Sequence, residues 1–136
     1  MKGLLVCLPF LYILGACATV GNTIPEDALP LSTEEITTTF SGVTEKYTGK
    51  DNTAVTATGT FGEAGEFAAS WSAGNQKGDV TGEWYAEDGK RCLKTVSSDG
   101  GSTDIECHTI YKTGDVYTSV NDDGSIHGIH SLTPLL

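Results

Sequence analysis

Few residue groupings in this chain are spaced for chemistry, and the element that carries each decides what it can do. His127-Gly128-Ile129-His130 places two imidazoles three positions apart. On a strand such residues point to opposite faces, so the two are not expected to share one metal ion, and ordinary strand or surface histidines are expected instead. His108 follows Cys107 directly and by the same alternation faces away from it. Asn121-Asp122-Asp123-Gly124 has the composition of part of a calcium loop. An EF-hand register, however, puts Ser119 at the first ligand position and His130 at the twelfth, where a bidentate Glu is required, so a hairpin turn is expected. No G-x-S-x-G elbow, phosphate-cradling glycine loop, H-E-x-x-H or C-x-x-C occurs. Ser, His and Asp are present without a spacing that ties them into a triad, and no carboxylate pair stands out among the 18 acidic residues. The expectation is a non-enzymatic protein with no catalytic residue, no metal site and no cofactor.

The cysteines say more about where the chain works. Lys2, an uncharged run from Gly3 to Leu14 and small residues at 15, 16 and 18 make a secretory signal, too short to span a bilayer and broken by Pro9. Ala16-Cys17-Ala18 satisfies ordinary signal peptidase, while Leu14-Gly15-Ala16-Cys17 resembles the bacterial lipobox. That resemblance implies cleavage before Cys17 and acylation of its thiol and amino group, which supplies the multiple chains that stable anchoring requires. It gives residues 1–16 as signal, 17–30 as a lipid-anchored, proline-containing tether and 31–136 as a single domain. Ala18, in place of the Asp associated with inner-membrane retention, points to the outer membrane, facing the periplasm. The alternative is a soluble periplasmic or secreted protein cut after Ala18.

In an exported chain Cys92 and Cys107 are expected to be oxidised. They oppose each other about a centre between Asp99 and Gly100 in an antiparallel hairpin, and a bridge closing a loop of that size is worth about 3 kcal/mol. Metal ligation by the pair would need two further ligands that are not evident. With 18 acidic against 8 basic residues the net charge is −10, which makes nucleic acid an improbable partner. The acids cluster at loops (Asp88, Asp99, Asp115, Asp122, Asp123), as expected of a solvated, self-repelling surface.

The elements that would position these groups are legible from periodicity. Leu31-Ser32-Thr33-Glu34-Glu35-Ile36 carries a capping box and a hydrophobic staple, with Gly42 as a stop, predicting one helix over about 33–40. Thereafter the period is two. Val55 to Phe61, Phe67 to Trp71 and Val80 to Tyr85 alternate, Asp88-Gly89 marks a tight hairpin, and strands follow near 90–96, 103–112, 116–120 and 126–132. With Val43 to Tyr47 this gives a mainly β fold: an antiparallel meander of about 7–8 short strands forming a small barrel or curved sheet, with one short N-terminal helix. Phe61, Phe67, Trp71, Trp84 and Tyr111 are placed on the inward phase as core, and outward-phase Tyr85 and Tyr117 are the candidates for partner contact.

Leu31-Ser32-x-Glu34-Glu35, Gly42, Phe67-x-Ala69-x-Trp71-Ser72, Gly82-x-Trp84, Asp88-Gly89-Lys90-x-Cys92, Cys107-His108 and Asp123-Gly124 resemble, in order and spacing, a family of small exported bacterial proteins of unknown function. The resemblance covers about residues 31–130 and implies no activity; the chain departs from the pattern at Ile126-His127-Gly128, where further aromatics are expected. Gly82-x-Trp84 and the nearby bridge are also similar to calycins, the lipocalin-like barrels that include periplasmic protease inhibitors, although the motif lies mid-chain here rather than on the first strand. The leading functional expectation is an envelope or binding module anchored through Cys17, with an envelope protein as partner. The alternative is a periplasmic inhibitor or a module that sequesters a small ligand.

Overall fold

The capping box at Ser32 forms in both directions. The Ser32 hydroxyl accepts from the Glu35 N–H at 3.1 Å, and the Glu35 carboxylate accepts from the Ser32 N–H at 3.3 Å. With Glu34 and Glu35 in the first turn to complement the helix dipole, this fixes the start of α1, Thr33–Phe40. Leu31 and Ile36 are buried as the staple requires, and Gly42, at φ +71°, turns the chain out of the helix. The computed structural model describes residues 23–51, 54–96 and 100–135; the leader, Cys7 and Cys17 lie outside the described residues. No helix among the described residues is long and apolar enough to cross a membrane.

Eight strands follow: β1 Val43–Gly49, β2 Val55–Phe61, β3 Glu66–Ala73, β4 Gln76–Glu87, β5 Lys90–Val96, β6 Thr103–Thr113, β7 Val116–Val120 and β8 Ile126–Pro134. Each pairs antiparallel with the next, and β8 returns to β1 from Val43↔Pro134 to Gly49↔Gly128, closing a barrel. The mainly β meander with one short N-terminal helix is thus the observed fold, in its closed form, and closure removes the edges an open sheet would expose.

Helix α1 plugs the end of the barrel at which β1 begins. Its Ile36 and Phe40 are wholly buried and pack with Val43, Phe61, Phe67, Trp84 and Ile110. The rings meet at tilted or edge-on angles, with centroids 5.6 Å apart for Phe40–Phe61 and 4.9 Å for Phe61–Phe67. Trp84 Nε1–H donates to the Gly62 carbonyl at 2.8 Å, tying the β2–β3 turn to β4, and Gly89 N–H donates to Thr33 Oγ1 at 2.7 Å, tying the β4–β5 turn to the plug. The incoming chain is fixed there as well. Pro30 bridges Tyr111, and Leu31 N–H donates to the Ile110 carbonyl at 2.8 Å, beside β6 beyond the point where β5 begins.

At Gly82, β4 and β5 approach so closely that an added methyl would lie 2.0 Å from the Lys94 carbonyl oxygen. Gly82→Ala is therefore expected to destabilise by about 1–3 kcal/mol, as overpacking does. The urea midpoint measures it, and an unchanged midpoint would mean that the wall yields.

Cys92 and Cys107 are directly opposite in the β5–β6 register and are joined by a disulfide. Replacing both by Ser should lower stability by about 3 kcal/mol and raise the slope of the urea transition, because the unfolded chain loses its cross-link and exposes more surface. The bridge lies on the outer face, however, and this inverts the expected phase of β6. Tyr111 was expected inside, but Ile110 is the wholly buried residue of this strand, His108 shares its face, and Ile105 is 54 % exposed on the other. The strand carries apolar residues on both phases, and contact of Ile110 with the plug decides which face turns in. Tyr117 is corrected in the same way. It is not an outward contact residue but packs against the core, edge-on to Phe40 at 5.9 Å. Tyr85 lies opposite Cys92, on the phase that Trp84 leaves to the outside, and is half-buried.

Candidate functional site

Polar groups enter the barrel because the inward phases of several strands carry them. On β1, Glu45 shares a face with Val43 and Tyr47; on β5, Arg91 shares one with Leu93; β7 and β8 contribute Ser119 and His130. Glu45, Arg91, Ser119 and His130 are all buried. Arg91 Nη1–H donates to Glu45 Oε1 at 2.8 Å, and the guanidinium lies over the rings of Phe40 and Phe61, 4.7 and 5.0 Å from their centroids. Burial on its own would raise the Glu45 carboxyl. The charge of Arg91, that of His130 where acid protonates it, and the hydrogen bonds from both outweigh it and hold the pKa at about 2.

Burial, reinforced by the Arg91 charge, pushes His130 below its usual 6.5 against the pull of Glu45, so the ring is neutral at pH 7. Its Nδ1–H donates to the Glu45 carboxylate, which leaves Nε2 to accept from the Ser119 hydroxyl at 2.8 Å. Ser119, His130 and Glu45 are therefore connected as a Ser–His–carboxylate triad is. Ser119 and His130 are both wholly buried, and Glu45 is shared with Arg91. A nucleophile sealed in the wall cannot touch a substrate, so this chain of hydrogen bonds holds β1, β5, β7 and β8 together.

A second group of polar residues lies towards the end of the barrel away from the plug. β6 pairs with β7 only over Thr109–Thr113, so its residues Glu106 and His108 extend past the β7 partner. His127 faces them because the β7–β8 register passes from Ser119↔Gly128 to Val120↔Ile126, leaving His127 as the extra residue of a bulge. A bulge re-aims a side chain, and this one overturns the expectation that His127 and His130 point to opposite faces: both rings lie against Tyr47, at 5.6 and 5.1 Å. Gly128 makes room for that ring, since a methyl there would sit 2.1 Å from Tyr47 Cε2.

His127 stacks on His108, with centroids 4.0 Å apart and planes 12° from parallel. Its Nδ1 lies 3.1 Å from Asp51 Oδ2 and its Nε2 3.1 Å from the Tyr47 hydroxyl. Burial, then the neighbouring His127 and Arg91 charges, lower the His108 pKa to about 4, so at neutral pH its ring carries a lone pair. Ligand atoms of Glu106, His108 and His127 all lie within 4.8 Å of one another.

Asn121–Ser125 is the hairpin turn expected of it. Gly124 N–H donates to the Asn121 carbonyl at 2.9 Å, and Asp123 Oδ1 accepts from the Ser125 N–H at 2.9 Å rather than facing an ion site. Sequence reasoning missed Glu45, Arg91 and Ser119 as interior residues. The available signal was phase: Val43-x-Glu45-x-Tyr47 and Arg91-x-Leu93 each put a charge in register with apolar neighbours. Residues 8–129 match the family described as "Protein of unknown function (DUF995)". No curated protein and no solved structure matches the chain.

Proposed function

The chain belongs to the DUF995 family, whose description assigns no activity, and on that premise we propose that it is a non-enzymatic binding barrel, exported, anchored through Cys17 and held at the periplasmic face of the outer membrane. The observation that carries the binding role is the division of the barrel interior. One end is filled by α1 and the aromatic cluster, while Tyr47, Glu106, His108 and His127 gather towards the other, where a small polar ligand would enter. The burial of Ser119 and His130 argues against hydrolysis by the connected triad. Support for the anchor is the Leu14-Gly15-Ala16-Cys17 segment.

Two measurements test the two parts. Cys17→Ala should move the protein from the membrane to the soluble fraction, and a variant that stays membrane-bound would remove the anchor. Native mass spectrometry of the barrel released gently from cells should show retained mass beyond the polypeptide and its acyl chains. A bare polypeptide that also takes up nothing from periplasmic extract would remove the binding role.

A further inference from the structure

We infer that Glu106, His108 and His127 form a three-ligand site for a divalent transition-metal ion, zinc by preference, with a fourth position open to water or to a ligand; this rests on the reading of the barrel interior as a binding site. The residue types and their placement support it together. Glu106 and His108 are two apart on β6 and so share one face. His127 comes from β8 and is turned towards them by the bulge. Two imidazoles and one carboxylate are the donor set of an open zinc site, and they select such ions over magnesium or calcium, which prefer oxygen.

The arrangement around these ligands is also that of a metal centre. A metal-bound imidazole ordinarily gives its second N–H to a carboxylate, which fixes the ring and raises its basicity. Asp51 is placed for this, 3.1 Å from His127 Nδ1, leaving Nε2 as the donor atom. The Tyr47 hydroxyl beside Nε2 also lies 3.3 Å from the His127 carbonyl and can donate there when the ion takes the nitrogen. Tetrahedral coordination at about 2.0–2.1 Å requires donor atoms roughly 3.3 Å apart, closer than the 4.8 Å that bounds the three atoms. Closing the site takes two movements: Glu106, exposed at the end of the β6 overhang, rotates inward, and one of the stacked imidazoles turns so that the two in-plane lone pairs meet at the ion.

Titration of the mature, disulfide-bonded protein with zinc sulfate, followed by calorimetry and native mass spectrometry, should give one ion per chain. His108→Gln and His127→Gln should each weaken the affinity by at least about 100-fold, and Asp51→Asn by about 10–100-fold, while Glu83→Gln, on the exposed outer face of β4, leaves it unchanged. Far-ultraviolet circular dichroism and the zinc-free melting temperature show whether each variant is folded. Cobalt(II) in place of zinc should give visible bands of a nitrogen–oxygen site without a sulfur charge-transfer band. Absence of zinc uptake by the wild type, equal affinity in the folded histidine variants, or preference for magnesium or calcium would each overturn the site. Failure here with an organic ligand retained in native mass spectrometry would leave the binding barrel standing without its metal.

Discussion

Replacing Glu45 by Gln should lower the folding stability of the barrel by about 3–5 kcal/mol, the cost of leaving a buried cation unpaired. The carboxylate accepts from both Arg91 and His130, and Arg91 is 4 % exposed, held between Phe40 and Phe61. Gln keeps the shape but removes the charge that offsets the guanidinium, and among the described residues Arg91 Nε already has no hydrogen-bond partner. The double variant Glu45→Gln/Arg91→Met, which removes the stranded charge as well, should recover a substantial part of the loss. Urea denaturation of the wild type, the two single variants Glu45→Gln and Arg91→Met and the double variant gives the coupling directly. A single variant within about 0.5 kcal/mol of wild type would show that the pair is not what fixes the interior.

Acid should destabilise the protein in two stages, the first set by His130 together with His108, whose folded pKa of about 4 also lies below 6.5, and the second by Glu45. His130 faces Glu45, Ser119, Tyr47 and Phe40, with the Arg91 charge close by, and its folded pKa lies below 6.5. As pH falls below 6.5 the unfolded chain takes up a proton that the folded one resists, so stability declines. Glu45 then adds a further loss. Its folded pKa of about 2 lies below the unfolded 4.5. The stability that gap contributes, on the order of 3 kcal/mol, is present above pH 4.5 and disappears as pH falls towards 2. Urea midpoints from pH 7.5 to 2.5, with the disulfide kept oxidised, should show one fall that begins near pH 6.5 and a further one below pH 4.5. Glu45→Gln should lose the second fall only. A midpoint constant from pH 7 to 3 would contradict the assignment.

The strands were legible because their information is local. Turn chemistry punctuates them: Asp88 and Gly89 have φ of +51° and +72°, and Gly114 and Gly124 are also positive. The cysteine register was legible because antiparallel pairing around one turn is arithmetic, and Cys92↔Cys107 is the observed pair. What failed was global. Ile105, Cys107 and Tyr111 against Ile110 gave β6 an apolar case for either face, which only the position of the helix resolves. Glu45 and Arg91 are polar residues in an apolar phase, far apart in sequence, and nothing local pairs them. His127 owes its direction to one extra residue in a register, a quantity that belongs to two strands together.

The docking of Pro30 and Leu31 at the helix end gives the molecule a polarity. Leu135 N–H also donates to the Gly42 carbonyl at 2.9 Å, so the chain both enters and leaves at that pole. For a protein leashed by Cys17, residues 18–29 reach about 40 Å at full extension. The anchor proposed at Cys17 would attach the barrel by its stoppered pole and leave the histidine-bearing rim on the side away from the attachment, open to a solute.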